Sequence, residues 1–154
     1  MALHVTFINR QKRPVPKARL VRIAKGVMGA EGCAAGTEVT VAIGGDRWIR
    51  RLNREYRGRD RPTDVLAFSQ GEPVGRVWRS HARRTLLGEV AVSAETAEGQ
   101  AKALGHTLAH ELAVLVAHGV LHLTGWTDET PTKRRRMMER VEEALRLAGV
   151  PPRS

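Results

Sequence analysis

Cysteine is almost missing: Cys33 is the only one among 154 residues, which excludes an internal disulfide framework and any cysteine-rich zinc ribbon. A lone thiol among Gly and Ala, with no partner base indicated, reads as a bystander. Aromatic residues make up 4% of the chain, too few for an extended base-stacking platform, so any nucleic-acid contact is expected to show weak sequence preference. Long apolar runs are missing too. The longest, Leu112 to Ala117, falls far short of the ~20 residues that span a bilayer. The opening MALHVTFINR lacks a basic lead-in followed by a long apolar run, so it does not read as a signal peptide. No helical segment pairs a large apolar face with a Lys-rich one, as surface-lying membrane helices do. A cytoplasmic protein with no membrane partner is expected. Acidic residues are the last shortage: 16 Asp and Glu stand against 26 Lys and Arg, a net charge of +10. That excess says little about fold but favours a polyanionic partner, with nucleic acid first.

What remains is ordinary for a globular chain, 42% hydrophobic and 27% charged, and the length is that of one domain. With no repeat and no break in composition, residues 1–154 are expected to form that single domain. Leu3 to Ile8 alternates apolar and polar residues as a strand does. Leu20, Ile23, Ala24, Val27 and Met28 recur at helical spacing, giving a helix from about Lys17 to Met28. Val39, Val41 and Ile43 alternate as a second strand. Asp46 to Tyr56 is a helix with Trp48, Ile49, Leu52 and Tyr56 on its apolar side; Trp48 is expected in the core. Asp64–Phe68 and Leu87–Val92 are apolar, partly β-branched runs bounded by turn residues and read as strands. Between them, Gln70 to Arg84 is polar and basic, an exposed loop or hairpin. Helices follow over Ala94–Leu104, over Leu108 to about Thr124, and from Thr130-Pro131 (a cap residue before a helix-initiating Pro) to Gly149. The fold class expected is α+β: a small mixed sheet of about four strands packed with about five helices.

Four of the six histidines fall between 106 and 122. His118 and His122 are one helical turn apart, about 6 Å along the axis, and project from one face. That spacing suits two nitrogens converging on one ion at about 2.0–2.1 Å. Gly125 lets the helix end sharply, and Asp128 can fold back as a third ligand, leaving a fourth position for water as a catalytic zinc requires. A lone His on an apolar helix is more often a packed residue than a ligand; the added Gly and carboxylate tip the reading to metal. His106 and His110 share the spacing, but no third ligand is evident and Val114 breaks the ladder before His118, so they read as structural. The array is similar to that of the metzincin proteases. Those enzymes place a Glu general base directly after the first His, where this chain has Gly119. Peptide hydrolysis by that route is therefore not expected, and a Gly in mid-helix, costing about 1 kcal/mol, suggests a close backbone or substrate approach.

Three segments together resemble the YbeY family of bacterial endoribonucleases. His118-Gly119-Val120-Leu121-His122-Leu123-Thr124-Gly125-Trp126-Thr127-Asp128 resembles the family signature HGxLHLxGYDH. The run from Leu52 through Asn53, Tyr56, Arg57 and Asp60 to Pro62-Thr63-Asp64-Val65-Leu66-Ala67-Phe68 resembles LNxxYRxxDxPTDVLSF. Leu87-Gly88-Glu89-Val90-Ala91-Val92-Ser93 resembles LGDIxIS. Their order and separations fit, so the resemblance covers nearly the whole chain. It implies a single-strand-specific endoribonuclease that matures ribosomal RNA and takes part in ribosome quality control. It also implies one Zn2+ per chain, with ribosomal RNA and the small ribosomal subunit as partners and no DNA. His118 and Arg57 are the residues it makes necessary for activity. One departure stands out: the Asp-His that closes the signature is Thr127-Asp128 here, which puts a carboxylate where the family has an imidazole. An Asp oxygen also binds zinc, at about 2.0–2.2 Å. The added negative charge should make a bound water less acidic and the ion a weaker Lewis acid.

Arg47, Arg50, Arg51 and Arg54 recur at three- and four-residue spacing and lead into Arg57, Arg59 and Arg61. Further clusters are Arg76, Arg79, Arg83 and Arg84 before the Leu87 strand, and Lys133 to Arg136. A charge run is usually a solvated face, but several in a chain of this net charge suggest a surface that follows phosphates. Trp126 suits equally a place lining the cleft or one beneath it. The competing readings are a non-catalytic ribosome- or RNA-binding assembly factor with a structural or weakened metal site and, third, a metalloprotease.

Overall fold

The computed structural model describes residues 2–69 and 85–150. The expected loop over 70–84, with Arg76, Arg79, His81, Arg83 and Arg84, lies outside the described residues. The elements run β1 (His4–Asn9), α1 (Lys17–Ala30), β2 (Thr37–Gly44), α2 (Asp46–Arg57), β3 (Val65–Ser69), β4 (Thr85–Ser93), α3 (Ala94–Leu104), α4 (Leu108–Leu123) and α5 (Pro131–Leu147). This is the α+β arrangement expected. Boundaries differ from the sequence reading by small amounts: β1 and β3 start one residue later, and α5 ends at Leu147, before Gly149 turns with φ +77°.

The four strands form one mixed sheet in the order β1-β2-β4-β3. β1 and β4 flank β2 in parallel, and β3 runs antiparallel to β4 along the other edge. Each parallel pair needs a crossover, and helices supply it. One face of the sheet carries Val39, Val41 and Ile43 of β2 and Val90 and Val92 of β4. These pack with Leu20, Ile23, Val27 and Met28 of α1 and with α4 and α5 in the main core. Ala91, Leu66 and Phe68 belong to the opposite face, as the twofold alternation of a strand requires. α2 covers them with Ile49, helped by Trp48, Leu52 and Tyr56. Trp48 is half-buried in this smaller cluster rather than in the main core, with Arg10 over its ring at 5.3 Å.

α4 is the central helix. Every residue from Glu111 to Leu121 except His118 is buried. A helix apolar around nearly its whole circumference must be enclosed on all sides, and α4 lies among the sheet, α1, α3 and α5. Its start is fixed by Thr107, whose side chain accepts from the His110 N–H at 3.0 Å. Ser93 and Thr130 cap α3 and α5 the same way. Among the described residues no single helix is long and apolar enough to cross a membrane.

Candidate metal centre and phosphate-binding surface

His118 and His122 project from the last turns of α4 into a space closed by the loop that follows. Gly125, at φ +108°, turns this loop back. Its amide bonds to the His122 carbonyl and that of Trp126 to the Leu121 carbonyl, both at 3.1 Å. Asp128 is thereby carried to the two histidines. Donor atoms of His118, His122 and Asp128 all lie within 4.8 Å of one another, and no other group of three His, Cys, Asp or Glu residues meets this condition among the described residues. The histidine Nε2 atoms stand 2.9 Å apart, and His118 Nε2 is 3.7 Å from Asp128 Oδ2. Two donors at zinc-bond length on a tetrahedral ion stand ~3.3 Å apart, so the separations bracket what one ion needs.

The donor chemistry also fits. His122 Nδ1 lies 3.0 Å from the Trp126 carbonyl oxygen. A carbonyl only accepts, so Nδ1 carries the proton and the Nε2 lone pair faces the space shared with His118. Two imidazole nitrogens this close require a single proton or a cation between them. Burial, followed by the neighbouring His122, holds the His118 pKa below the ordinary histidine value, against the opposing pull of Asp128 and Asp64. The depressed pKa favours the neutral imidazole, the form that binds metal. The site also sits at the C-terminal end of α4, where the helix dipole favours positive charge.

Asp64 is a neighbour that the sequence reading did not single out. Its carboxylate acts electrostatically on His118 and is itself held by the Val65 amide at 2.8 Å and by Gln100 Nε2 at 3.2 Å. Its place in the Pro-Thr-Asp run before β3 was visible, but its proximity to α4 depends on strand pairing. Gly119 has its explanation here as well. A Cβ on it would stand 2.4 Å from Val90 Cγ1 and 3.3 Å from Val65 Cγ2, so α4 lies against the sheet at the level of the histidines. The close approach is to the valine side chains of β3 and β4, and no carboxylate occupies the position a metzincin base would take.

Arg57 ends α2. Its guanidinium donates from Nη2 to the Ala67 carbonyl at 2.9 Å and lies 4.6 Å from the centre of the Phe68 ring, which fixes it against β3. Arg47, Arg50, Arg51 and Arg54 line one shallow depression on the exposed side of α2. Arg59 and Arg61, also exposed, lie in the turn beyond it. Buried Asn53 shapes that turn: its carbonyl accepts from the Arg59 amide at 3.2 Å and its side chain donates to the Arg61 carbonyl at 2.9 Å. Asp60 reaches back to Arg50 at 2.9 Å and Arg54 at 3.8 Å, so the basic stripe contains its own counter-charge. Lys133 to Arg136 are exposed at the start of α5. Burial, and then Glu31, raise the pKa of the Cys33 thiol, which suppresses the thiolate and agrees with a bystander role.

Trp126 lies beneath the site. It packs against the main core, and its indole N–H donates to Glu31.

A family model described as Endoribonuclease YbeY matches residues 6–149. Curated relatives of that name include one from Pelotomaculum thermopropionicum, 41% identical over 128 residues and covering 82% of each chain. Another, from Geobacter sulfurreducens, is 38% identical over 149 residues, covering 94% of this chain and 95% of its own. The solution structure of a Thermotoga maritima protein matches with a TM-score of 0.58 at 23% identity, over 93% of this chain and 90% of that one, a likeness of fold.

Proposed function

This chain belongs to the Endoribonuclease YbeY family, and from that premise we propose a metal-dependent endoribonuclease that cleaves single-stranded ribosomal RNA. It would act in the cytoplasm on the small ribosomal subunit, in rRNA maturation and ribosome quality control. One observation carries the metal dependence: two imidazole nitrogens and a carboxylate oxygen meet within 4.8 Å at the end of a buried helix. His118, His122 and Asp128 would hold the ion, with zinc favoured by the nitrogen donors and the three-ligand set. Such an ion supplies Lewis acidity toward a phosphoryl oxygen or lowers the pKa of a water.

The chain's own residues do the rest. Arg57, seated on Phe68 and tied to β3, presents a planar guanidinium whose geometry matches phosphate oxygens. Arg47, Arg50, Arg51 and Arg54 draw the strand along α2 through its charge, and Arg59 and Arg61 continue that path. The low aromatic content makes this attraction largely indifferent to base identity. Asp64 and Asp128 place negative charge beside His118 and offset the positive charge that an ion introduces.

Metal content of untagged protein purified without chelator, with cleavage of a single-stranded RNA, tests the reading. About one zinc per chain, lost with cleavage in Asp128→Ala, is the expected result. A chain that binds RNA but takes up no supplied zinc would favour the second reading, a non-catalytic assembly factor. The specific observation behind that alternative is the carboxylate at the third ligand position, which is 46% exposed.

A further inference from the structure

We infer that Glu31, Trp126 and Arg140, none of them a ligand, form a clamp that positions His122 and the ligand loop for metal binding. The inference rests on the metal reading above and concerns how the chain prepares the site.

The link runs through one backbone atom. His122 Nδ1–H donates to the Trp126 carbonyl, so whatever holds Trp126 determines where His122 Nε2 points. The Gly125 and Trp126 amides tie the turn to the end of α4, but Gly125 offers no side chain to brace it: its φ is +108° and a Cβ there would meet nothing within 4 Å. The side chain of Trp126 supplies what that turn lacks. Its Nε1–H donates to Glu31 Oε1 at 2.5 Å. The guanidinium of Arg140 lies 5.0 Å from its ring centre, and Arg140 Nη1 pairs with Glu31 Oε2 at 3.4 Å. Both Glu31 oxygens are thus engaged, and the three side chains close a ring of contacts.

Those side chains come from three separate places: the C-terminal cap of α1, the ligand loop, and the body of α5. Glu31 is only 11% exposed, so its charge-assisted bond to the indole is poorly screened and stronger than a surface pair. Freed of this clamp, the Trp126 carbonyl can swing away. The His122 imidazole is then able to rotate and exchange its Nδ1 proton for one on Nε2, removing the lone pair from the site. Asp128, two residues further on, moves with the same loop.

A merely structural trio would fasten α1 to α5, lower the stability of the metal-free chain and leave zinc affinity alone. A positioning trio moves affinity and tautomer. Zinc affinity of the full chain is measured by competition with a chromophoric chelator, and the His122 tautomer of the metal-free chain by 15N NMR. The variants are Trp126→Phe, which keeps a ring for packing and for Arg140, Glu31→Ala, and Glu31→Gln, whose amide oxygen still accepts from the indole. Trp126→Phe and Glu31→Ala are expected to weaken zinc binding about tenfold, the low end of the range for outer partners of a metal ligand, and to mix the tautomers. Glu31→Gln is expected to recover most of the affinity. Unchanged affinity and tautomer in folded Trp126→Phe overturn the clamp and leave the metal site standing; this variant decides if Glu31→Ala does not fold. A wild-type chain that takes up no zinc overturns the metal reading itself, and the clamp with it.

Discussion

Two histidine pairs with the same four-residue spacing stand at opposite ends of α4, and only one of them has the geometry of a ligand set. His118 and His122 both lie within the helix, their rings nearly perpendicular at 76° and their Nε2 atoms 2.9 Å apart. His106 precedes the helix, in the turn that closes α3, where its amide bonds to the Ala101 carbonyl. Its ring stacks on that of His110 at 4.7 Å and 23°, an arrangement that does not converge nitrogens on one point. Its Nε2 instead faces the Glu111 carboxylate at 3.8 Å, with both side chains buried. The helix ends differ as well. The C-terminal end favours a cation and the N-terminal end opposes one. Spacing in sequence therefore becomes a metal site only where both residues share a helix, its end carries the right charge and a turn returns a third donor.

Substitutions that separate the two pairs sharpen this contrast. His118→Ala should weaken zinc binding more than about a hundredfold, beyond what outer partners of a ligand cost, and reduce RNA cleavage to background. His106→Ala should keep one zinc per chain and its cleavage rate. Equal loss of metal from both variants, measured by mass spectrometry, would break the comparison. Gly119→Ala should lower stability by about 1–3 kcal/mol, because its methyl meets Val90 on a packed sheet; unchanged denaturant unfolding would show that α4 can withdraw from β4 at little cost. For His106→Ala the expected loss is about 1 kcal/mol, the usual size for a buried packing residue, and it should be the same with and without zinc. A loss that grew with zinc would tie the two ends together. Asp128→His should leave metal content alone and shift the cleavage rate profile to lower pH by about one unit or less, because a neutral donor leaves more positive charge to acidify a bound water. A shift to higher pH would show that the carboxylate is not beside the ion.

Much of this arrangement is legible in the sequence because it is local. The helical periodicities place all five helices, and the Thr-Pro and Gly signals place their ends within a few residues. His118, His122, Gly125 and Asp128 are neighbours along the chain, so their meeting follows from helix geometry and one turn. Long-range packing is what the sequence hides. Val39, Val41 and Ile43 alternate with Glu38, Thr40 and Ala42 as if one side of the strand were wet, yet Glu38 is 4% exposed and Thr40 3%. β2 is the strand between β1 and β4, and both its faces are covered. Asp64 reaches the histidines only through the pairing of β3 with β4. Glu31 meets Trp126 across 95 positions, a contact no pattern announces. Arg57 shows the same limit: the sequence places it just beyond the arginine stripe, while its guanidinium is fastened to β3 by Ala67 and Phe68.

All three candidate ligands lie between positions 118 and 128, which separates this site from metal sites that staple remote segments together. Closing so short a loop removes little freedom from the unfolded chain, so an ion held here adds little cross-linking. β4 pairs with β2 across an intervening helix and strand, and contacts so far apart in sequence are expected to form slowest. That pairing builds an apolar core containing no ligand. The chain is therefore expected to complete its fold without metal and to take the ion into a finished socket. Metal supply would then set how many molecules are active, while the number that fold stays the same.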